Sequence, residues 1–169
     1  KIILAGKGML FDSYKRFIYD NNWDDVVSFL GYVNNIDDYC RISDILIAPS
    51  FQEGLPISLI EALATGLPIV CSAIRGHIDL IKNGENGFIE GPLFYSRYIT
   101  IDANTGETLF DKCLRLSELS EDDFFYGVVN LYNDDKLRQL MRVKNIQHSE
   151  KFSIEKILKF MEKIYTEIL

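Results

Sequence analysis

The sequence is short of cysteine, and its cysteines form no recognisable motif. The 169 residues include three cysteines, Cys40, Cys71 and Cys113, and no C-x-x-C pair. This spacing matches neither the ligand pattern of a zinc cluster nor that of a thiol redox site. We therefore expect inert thiols and a reducing, cytosolic compartment.

The chain also lacks a surplus of positive charge and a long apolar run. Lys and Arg number 18 against 25 Asp and Glu, which gives a formal net charge of −7. Nucleic-acid binding needs clustered positive charge, so this balance argues against a nucleic-acid partner. It also gives no general attraction to an anionic membrane. No apolar run approaches the roughly 18 to 20 residues that span a bilayer.

What is present is the composition of an ordered globular domain, with 47% hydrophobic and 25% charged residues. At roughly 100 to 200 residues per domain, this length supports one domain. Lys1 is followed at once by an apolar run, without an initiator Met or a leader. We therefore expect the sequence to be part of a longer chain.

Short apolar runs bounded by turn residues alternate with helical patterns. The runs are β-branched and mostly continuous, which is typical of strands buried on both faces of a parallel sheet. They lie at 2–5, 26–30, 45–48, 68–71 and 87–89, with helical patterns at 12–21, 36–42, 56–65 and 77–82. The alternation predicts an α/β fold, a Rossmann-like parallel sheet flanked by helices.

The alternation stops after residue 89. Two β-prone runs around a glycine-bearing turn, at 98–110, predict a β-hairpin within an insertion at about 92–119. Helical patterns return at 121–132, 134–145 and 154–168. Apolar residues recur at helical spacing in the last of these, which predicts a buried stripe.

The stretch at 49–68 carries most of the chemistry. It begins where the third strand ends, and open α/β sheets bind ligands at the carboxyl ends of their strands. Pro56 suits the first turn of a helix, and Gly66 suits its end. The free N–H groups around Ile57 and Ser58, with the helix dipole, predict an anion site, for which phosphate is the natural occupant.

Two carboxylates accompany this anion site. Glu53 precedes the helix, whereas Glu61 lies inside it on one stripe with Ser58. A carboxylate accepts two hydrogen bonds from a vicinal diol, and a ribose and a hexose both present such diols. The pattern therefore predicts a nucleotide-sugar pocket. The alternative is that Glu53 is a solvated loop residue and Glu61 an exposed helix position.

The same stretch resembles a known family signature. It matches P-S-x-x-E-G-L-P-x-S-x-x-E-A-x-A-x-G-x-P-I-V, with seven residues between the two glutamates. This pattern is similar to that of the retaining glycosyltransferases of family 4, also called group 1, in the C-terminal, nucleotide-sugar-binding half of the GT-B fold. Four more motifs resemble the family: L-A-G-K-G at 4–8, F-L-G-Y-V at 29–33, S-D-I-L-I-A-P-S at 43–50 and R-G-H-I-D-L-I at 75–81. The last resembles a loop of bacterial capsular and exopolysaccharide transferases.

The resemblance implies a role for each site residue. Glu61 would bind the ribose hydroxyls, and Glu53 would contact the donor sugar and act as the catalytic residue. Gly54, Leu55, Ile57 and Ser58 would hold the sugar and the phosphate. Gly6 would let the backbone approach the diphosphate, and Val33 would border the base. The donor substrate would be a nucleoside-diphosphate sugar, with no metal and no other cofactor.

The implied function is a retaining hexosyltransferase of surface polysaccharide biosynthesis, acting on a glycan or lipid-linked acceptor. Residues 1–169 would form its donor-binding domain. The acceptor domain, and an Arg and a Lys that brace the diphosphate, would precede residue 1, so the isolated piece would catalyse little. The location would be cytoplasmic, with peripheral contact to the inner membrane face through the missing half.

Some alternatives stay open. A GT-B sugar-nucleotide epimerase would use a similar diphosphate site, and a Rossmann-like binding module would use it without catalysis. The sequence names neither the sugar and base nor the acceptor and linkage. His77, in the loop after the fourth strand, is interpreted as a surface turn residue in preference to a sugar contact, and His148 as a solvated residue.

Overall fold

The computed structural model describes residues 1–50, 52–94 and 121–168. Within these, the chain forms two compact units, Lys1–Tyr39 and Cys40–Leu169. The predicted hairpin at 98–110 lies outside the described residues, as does nearly all of the predicted insertion at 92–119. Both therefore stay predictions.

The first unit contains a parallel strand pair and a connecting helix. Its elements are β1 (Ile2–Ala5), α1 (Phe11–Asp20) and β2 (Val27–Gly31). Ile2 lies opposite Val27 in the parallel register of β1 and β2. The Phe11 ring of α1 meets the Phe29 ring of β2 edge-on, with 5.4 Å between centroids, so the helix packs on this strand pair. The boundary between the units falls within α2 (Ile36–Ile42).

The second unit contains a three-stranded parallel sheet in the order β3-β4-β5. Its strands are β3 (Leu46–Ala48), β4 (Ile69–Ile74) and β5 (Gly87–Phe94). Its helices are α3 (Ile57–Thr65), α4 (His77–Leu80), α5 (Glu121–Asn133), α6 (Asp135–Ser149) and α7 (Ile154–Ile168), with a 3₁₀ turn at Glu150–Phe152. The predicted α/β class, with parallel strands flanked by helices, is confirmed.

The core of the second unit lies along β4 and α3. Val70 of the central strand packs with Leu131 of α5 and Met141 of α6, all without solvent exposure. The Asn145 side chain of α6 is also fully buried, and its Nδ2 donates to the Leu67 carbonyl at 2.8 Å. Because Leu67 is the second residue after α3, this bond joins α6 to the connection between α3 and β4.

The last helix departs from the prediction of a buried stripe. On α7, Ile154 is 67% exposed and Leu158 52% exposed, and Ile157 and Met161 are exposed as well. The prediction is wrong at these four positions. An amphipathic pattern indicates only that a helix has an apolar face, and the part of this chain that the structure describes provides no surface that covers it. Among the described helices, none has the length and apolar character needed to cross a membrane.

Candidate functional site

The candidate site lies at the carboxyl ends of β3 and β4. These strands pair in parallel, with Ala48 opposite Cys71, so both strands end at the same edge of the sheet. The segment after β3 leads to α3, and the turn after β4 leads to α4. This is the edge at which open α/β sheets bind ligands.

Ser72 ties the two strand ends together. Its hydroxyl donates to the Ser50 carbonyl, and the Ala48 carbonyl lies 3.5 Å from the same oxygen. The Ser72 carbonyl in turn accepts a hydrogen bond from Nδ1 of His77 at 3.0 Å. One residue of β4 therefore contacts both the exit from β3 and the first residue of α4.

His77 is buried, so the prediction of a surface turn residue is wrong: its exposed fraction is 1%. Because a carbonyl only accepts, the bond to Ser72 requires the proton on Nδ1, which makes Nε2 of the neutral ring an acceptor. Nε2 is buried and has no hydrogen-bond partner among the described residues. Leaving such a group unsatisfied costs about 1 to 3 kcal/mol. Burial lowers the pKa of His77 below its usual 6.5, against the opposing effects of the Ser72 carbonyl and the Glu53 charge.

The turn before His77 packs directly against the segment that carries Glu53. Gly76 has φ +87°, a conformation that side chains rarely adopt. A Cβ atom at Gly76 would overlap the Gly54 carbonyl oxygen and lie 3.1 Å from Cδ of Pro56. Only glycine therefore allows this approach, which packs the turn against Gly54 and Pro56 of residues 52–56, the Glu53 segment.

Helix α3 begins directly after the Glu53 segment. Pro56 is its N-cap, with extended backbone and no side-chain cap, and the first N–H bonded into the helix is that of Leu59. The preceding N–H groups, at Ile57 and Ser58, belong to the unpaired set at a helix start. Both residues are exposed. The structure therefore leaves this helix end open to an anion, and the anion itself stays a prediction.

Glu53 and Glu61 flank this helix end and are both half-buried. Neither carboxylate forms an ion pair or a side-chain hydrogen bond with another residue that the structure describes. Each therefore keeps its acceptor capacity for a ligand. The predicted Gly54 and Leu55 lie between them in the chain and are exposed.

The two predicted residues of the first unit lie at the ends of its strands. Gly6 directly follows β1, has φ +133° and donates its N–H to the Gly31 carbonyl at 2.7 Å. The space around its Cα is open. Val33 follows β2 and is half-buried. Both thus lie at the carboxyl edge of the β1–β2 pair, and their roles toward the diphosphate and the base stay predictions.

Two residues of the second unit's site were missed by sequence reasoning. Ser72 lies inside an apolar strand, and no local signal distinguishes it from a serine that merely fits there. Gly76 offered a signal, since a glycine between Arg75 and a helix start is a turn position. No group of three or more potential metal-binding side chains comes together within residues 1–50, 52–94 and 121–168.

The comparison with protein families decides which family this sequence is from. The model of the family described as "Glycosyl transferases group 1" matches residues 1–93, more than half of the sequence. The chain belongs to this family. The resemblance predicted from the motifs is therefore confirmed.

Among curated proteins, a UDP-Gal:α-D-GlcNAc-diphosphoundecaprenol α-1,3-galactosyltransferase of Escherichia coli is 35% identical over 88 residues. The match covers 52% of this chain and 23% of that protein. The chain thus spans about a quarter of the length of such a relative.

Solved structures share the fold over nearly the whole chain. A point mutant of S. aureus TarM, in complex with fondaparinux, α-GlcNAc-glycerol and UDP, aligns with a TM-score of 0.75 and 22% identity. The alignment covers 98% of this chain and 29% of that one. Anabaena HepE in complex with UDP-glucose aligns with a TM-score of 0.69 and 19% identity, covering 98% and 40%. At these identities the likeness shows the fold, that of one half of a GT-B glycosyltransferase.

The close approach at Gly76 predicts an asymmetry between two glycines. Gly76 and Gly84 both have positive φ, but a Cβ atom at Gly84 would meet open space. Each change to Ala carries a backbone cost of roughly 1 to 2 kcal/mol. We expect Gly76→Ala to lower the free energy of unfolding, measured in urea, by about 1 to 3 kcal/mol more than Gly84→Ala because of overpacking. Equal losses in the two variants would contradict the packing described for the Glu53 segment.

The buried histidine predicts a loss of stability in acid. Because the folded-state pKa of His77 lies below 6.5, the unfolded chain binds the proton more readily. Its contribution is fully present above pH 6.5 and is lost as the pH falls through that value, by up to about 1.4 kcal/mol per pH unit. His148 is half-buried, so its prediction as a solvated residue is wrong, and it adds in the same direction, since burial and then Lys151 lower its pKa. The measurement is the free energy of unfolding in urea at several pH values between 8 and 5.5.

The matched variant for that measurement is His77→Asn, which removes the titrating ring. We expect the variant to keep only the shallower pH dependence that His148 contributes. A slope equal to that of the unmodified chain would show that His77 titrates normally in the folded state.

Proposed function

We propose that the protein transfers a hexose from a nucleoside-diphosphate sugar to a glycan or lipid-linked acceptor with retention, and that residues 1–169 bind the donor. The observation that carries this proposal is the placement of Glu53 and Glu61, both unpaired among the described residues, on either side of an open helix start. Membership of the group 1 family supports the same reaction class.

In this proposal, each part of the donor binds a different part of the site. The diphosphate binds at the start of α3, where the N–H groups of Ile57 and Ser58 and the helix dipole favour negative charge. Glu61 lies four residues beyond Ile57, which is about 6 Å along a helix, and takes the ribose hydroxyls. Glu53 precedes the helix and takes hydroxyls of the sugar.

The chemistry follows from charge development during cleavage. As the sugar–phosphate bond breaks, negative charge grows on the departing diphosphate, and fixed N–H donors stabilise that charge without reorganisation. In a front-face departure the acceptor attacks from the side that the diphosphate leaves, which retains configuration. Glu53 faces the sugar, whose charge changes most, so it acts mainly in the transition state. The proposal includes no metal and no other cofactor.

Relatives suggest where to look for the donor and acceptor. The Escherichia coli relative is named for UDP-Gal and a diphosphoundecaprenol-linked acceptor, and HepE was solved with UDP-glucose. UDP-hexoses are therefore the first donors to test. A lipid-linked acceptor is consistent with a role in surface polysaccharide synthesis, which forms part of the proposal.

A nucleoside diphosphate should raise the melting temperature of the chain. The helix start and the Glu61 side chain exist together only in the folded state, so UDP at 100 times its dissociation constant would add about 2.7 kcal/mol. The measurement is thermal unfolding with millimolar UDP, GDP or ADP, with uridine as the control that lacks the diphosphate. Unchanged melting temperatures with all three diphosphates would contradict the assignment of the anion site.

The two glutamates should differ in what they control. In the complete protein we expect Glu61→Gln to weaken UDP binding about tenfold or more, because losing a charged hydrogen bond costs about 1.5 to 3 kcal/mol. Glu53→Gln should instead lower turnover far more than it weakens UDP binding. The matched control is Glu85→Gln at an exposed position in the same unit.

The assay measures UDP affinity by calorimetry, and turnover by release of UDP and formation of glycosylated acceptor. Transfer to an acceptor identifies a glycosyltransferase, whereas sugar isomerisation without an acceptor identifies an epimerase and binding alone a non-catalytic module. The sugar assignment of Glu53 is wrong if Glu53→Gln weakens UDP as strongly as Glu61→Gln while turnover at saturation stays intact.

A further inference from the structure

His77 lies between two contacts that hold the Glu53 segment, one made by Ser72 and one made by Gly76. Its Nδ1 donates to the Ser72 carbonyl at 3.0 Å, and the Ser72 hydroxyl donates to the carbonyl of Ser50, just before the Glu53 segment. Gly76, the residue before His77, packs against the Gly54 carbonyl at the other side of Glu53. The imidazole thus bonds Ser72, which holds the chain before Glu53, and the neighbouring Gly76 packs against the chain after it.

We propose that neutral His77 is a positioning residue for Glu53. It holds the Glu53 segment through Ser72, and its lack of charge leaves the Glu53 carboxylate free to bind the hydroxyls of the donor sugar. The inference rests on the proposed function, in which Glu53 takes the sugar. It assigns to His77 no contact with the donor itself, because the ring is 1% exposed.

The charge state of His77 matters because of what surrounds it. Among the groups near it, Glu53 is the carboxylate whose charge raises the pKa of His77. From β4, Cys71 contributes no charge, since burial raises its thiol pKa to about 12. Helix α3 contributes Glu61 as its titratable side chain, while Arg75 in the turn and Asp79 on α4 are exposed to solvent, which screens them.

Protonation of His77 would therefore act chiefly on Glu53. An imidazolium attracts this carboxylate electrostatically and so competes with the sugar hydroxyls for its charge. Burial favours the neutral form of the His77 ring at neutral pH, and lowering the pH protonates the ring. Donor-sugar binding should then weaken with falling pH, whereas UDP, which does not use Glu53, should be less affected.

Two amide variants separate the roles of the two ring nitrogens. In His77→Asn the side-chain N–H group takes the place of Nδ1–H, so the bond to the Ser72 carbonyl can be retained without a titrating group. In His77→Gln the amide reaches the position of Nε2 instead, and the bond to Ser72 is lost. Comparable size and polarity make each variant the control for the other, and their melting temperatures verify folding.

The experiment measures dissociation constants for UDP, UDP-glucose and UDP-galactose between pH 8 and 5.5 in the complete protein. At pH 7.5 we expect His77→Asn to bind the preferred UDP-hexose within about twofold of the unmodified protein, and His77→Gln to bind it at least tenfold more weakly with a smaller change for UDP. Acidification should weaken UDP-hexose binding in the unmodified protein and not in His77→Asn.

The inference is overturned if His77→Gln binds the UDP-hexose as the unmodified protein does, or if His77→Asn keeps the acid dependence. It is also overturned if UDP and UDP-hexose affinities fall together in His77→Gln, since that shows a structural role alone. Binding of UDP and UDP-hexose by the unmodified protein, with any of these three results, leaves the proposed function intact. Absence of all binding in the unmodified protein overturns both.

Discussion

The approach of Gly76 to the Gly54 carbonyl is the constraint on which the candidate site depends. Parallel strands β3 and β4 bring two chain segments to one edge, but a shared edge alone does not fix a loop. The contact of Gly76 with Gly54 positions the loop, because no side chain intervenes and the Glu53 segment packs directly against the backbone of the turn. Pro56 meets the same glycine, so the start of α3 is set by the same contact as the position of Glu53.

The other end of α3 is held by the core. Leu59, Ala62 and Leu63 bury the inner face of the helix, and the Asn145 bond to Leu67 secures the chain that follows it. Packing around the site, together with the Ser72 and His77 hydrogen bonds, thus positions it without engaging either carboxylate. That arrangement leaves both carboxylates unpaired among the described residues, as preorganised ligand binding requires.

Local signals in the sequence were sufficient for the parts of this structure that local chemistry controls. Pro56 and Gly66 bound α3 within one residue of its observed ends, and the continuous apolar runs located the five strands that the structure describes. The burial of His77 was not predictable, because it depends on the Ser72 carbonyl, on the neighbouring strand end and on the close packing at Gly76. The prediction of a buried stripe on α7 was wrong for a similar reason, since periodicity indicates an apolar face but not a surface that covers it.

Electrostatics explains how an acidic chain could select a doubly charged donor. The net charge of −7 and the two carboxylates beside the helix start oppose the binding of a bare phosphate. Under the proposed function, a ligand must therefore offer hydroxyl groups that hydrogen-bond both carboxylates, because otherwise it leaves charged groups desolvated and unpaired. Sites built in this way reject analogues that lack one hydroxyl far more strongly than apolar pockets reject a missing methylene group. In the proposed site, the diphosphate thus provides the anchor, and the hydroxyls of ribose and sugar determine which donor is accepted.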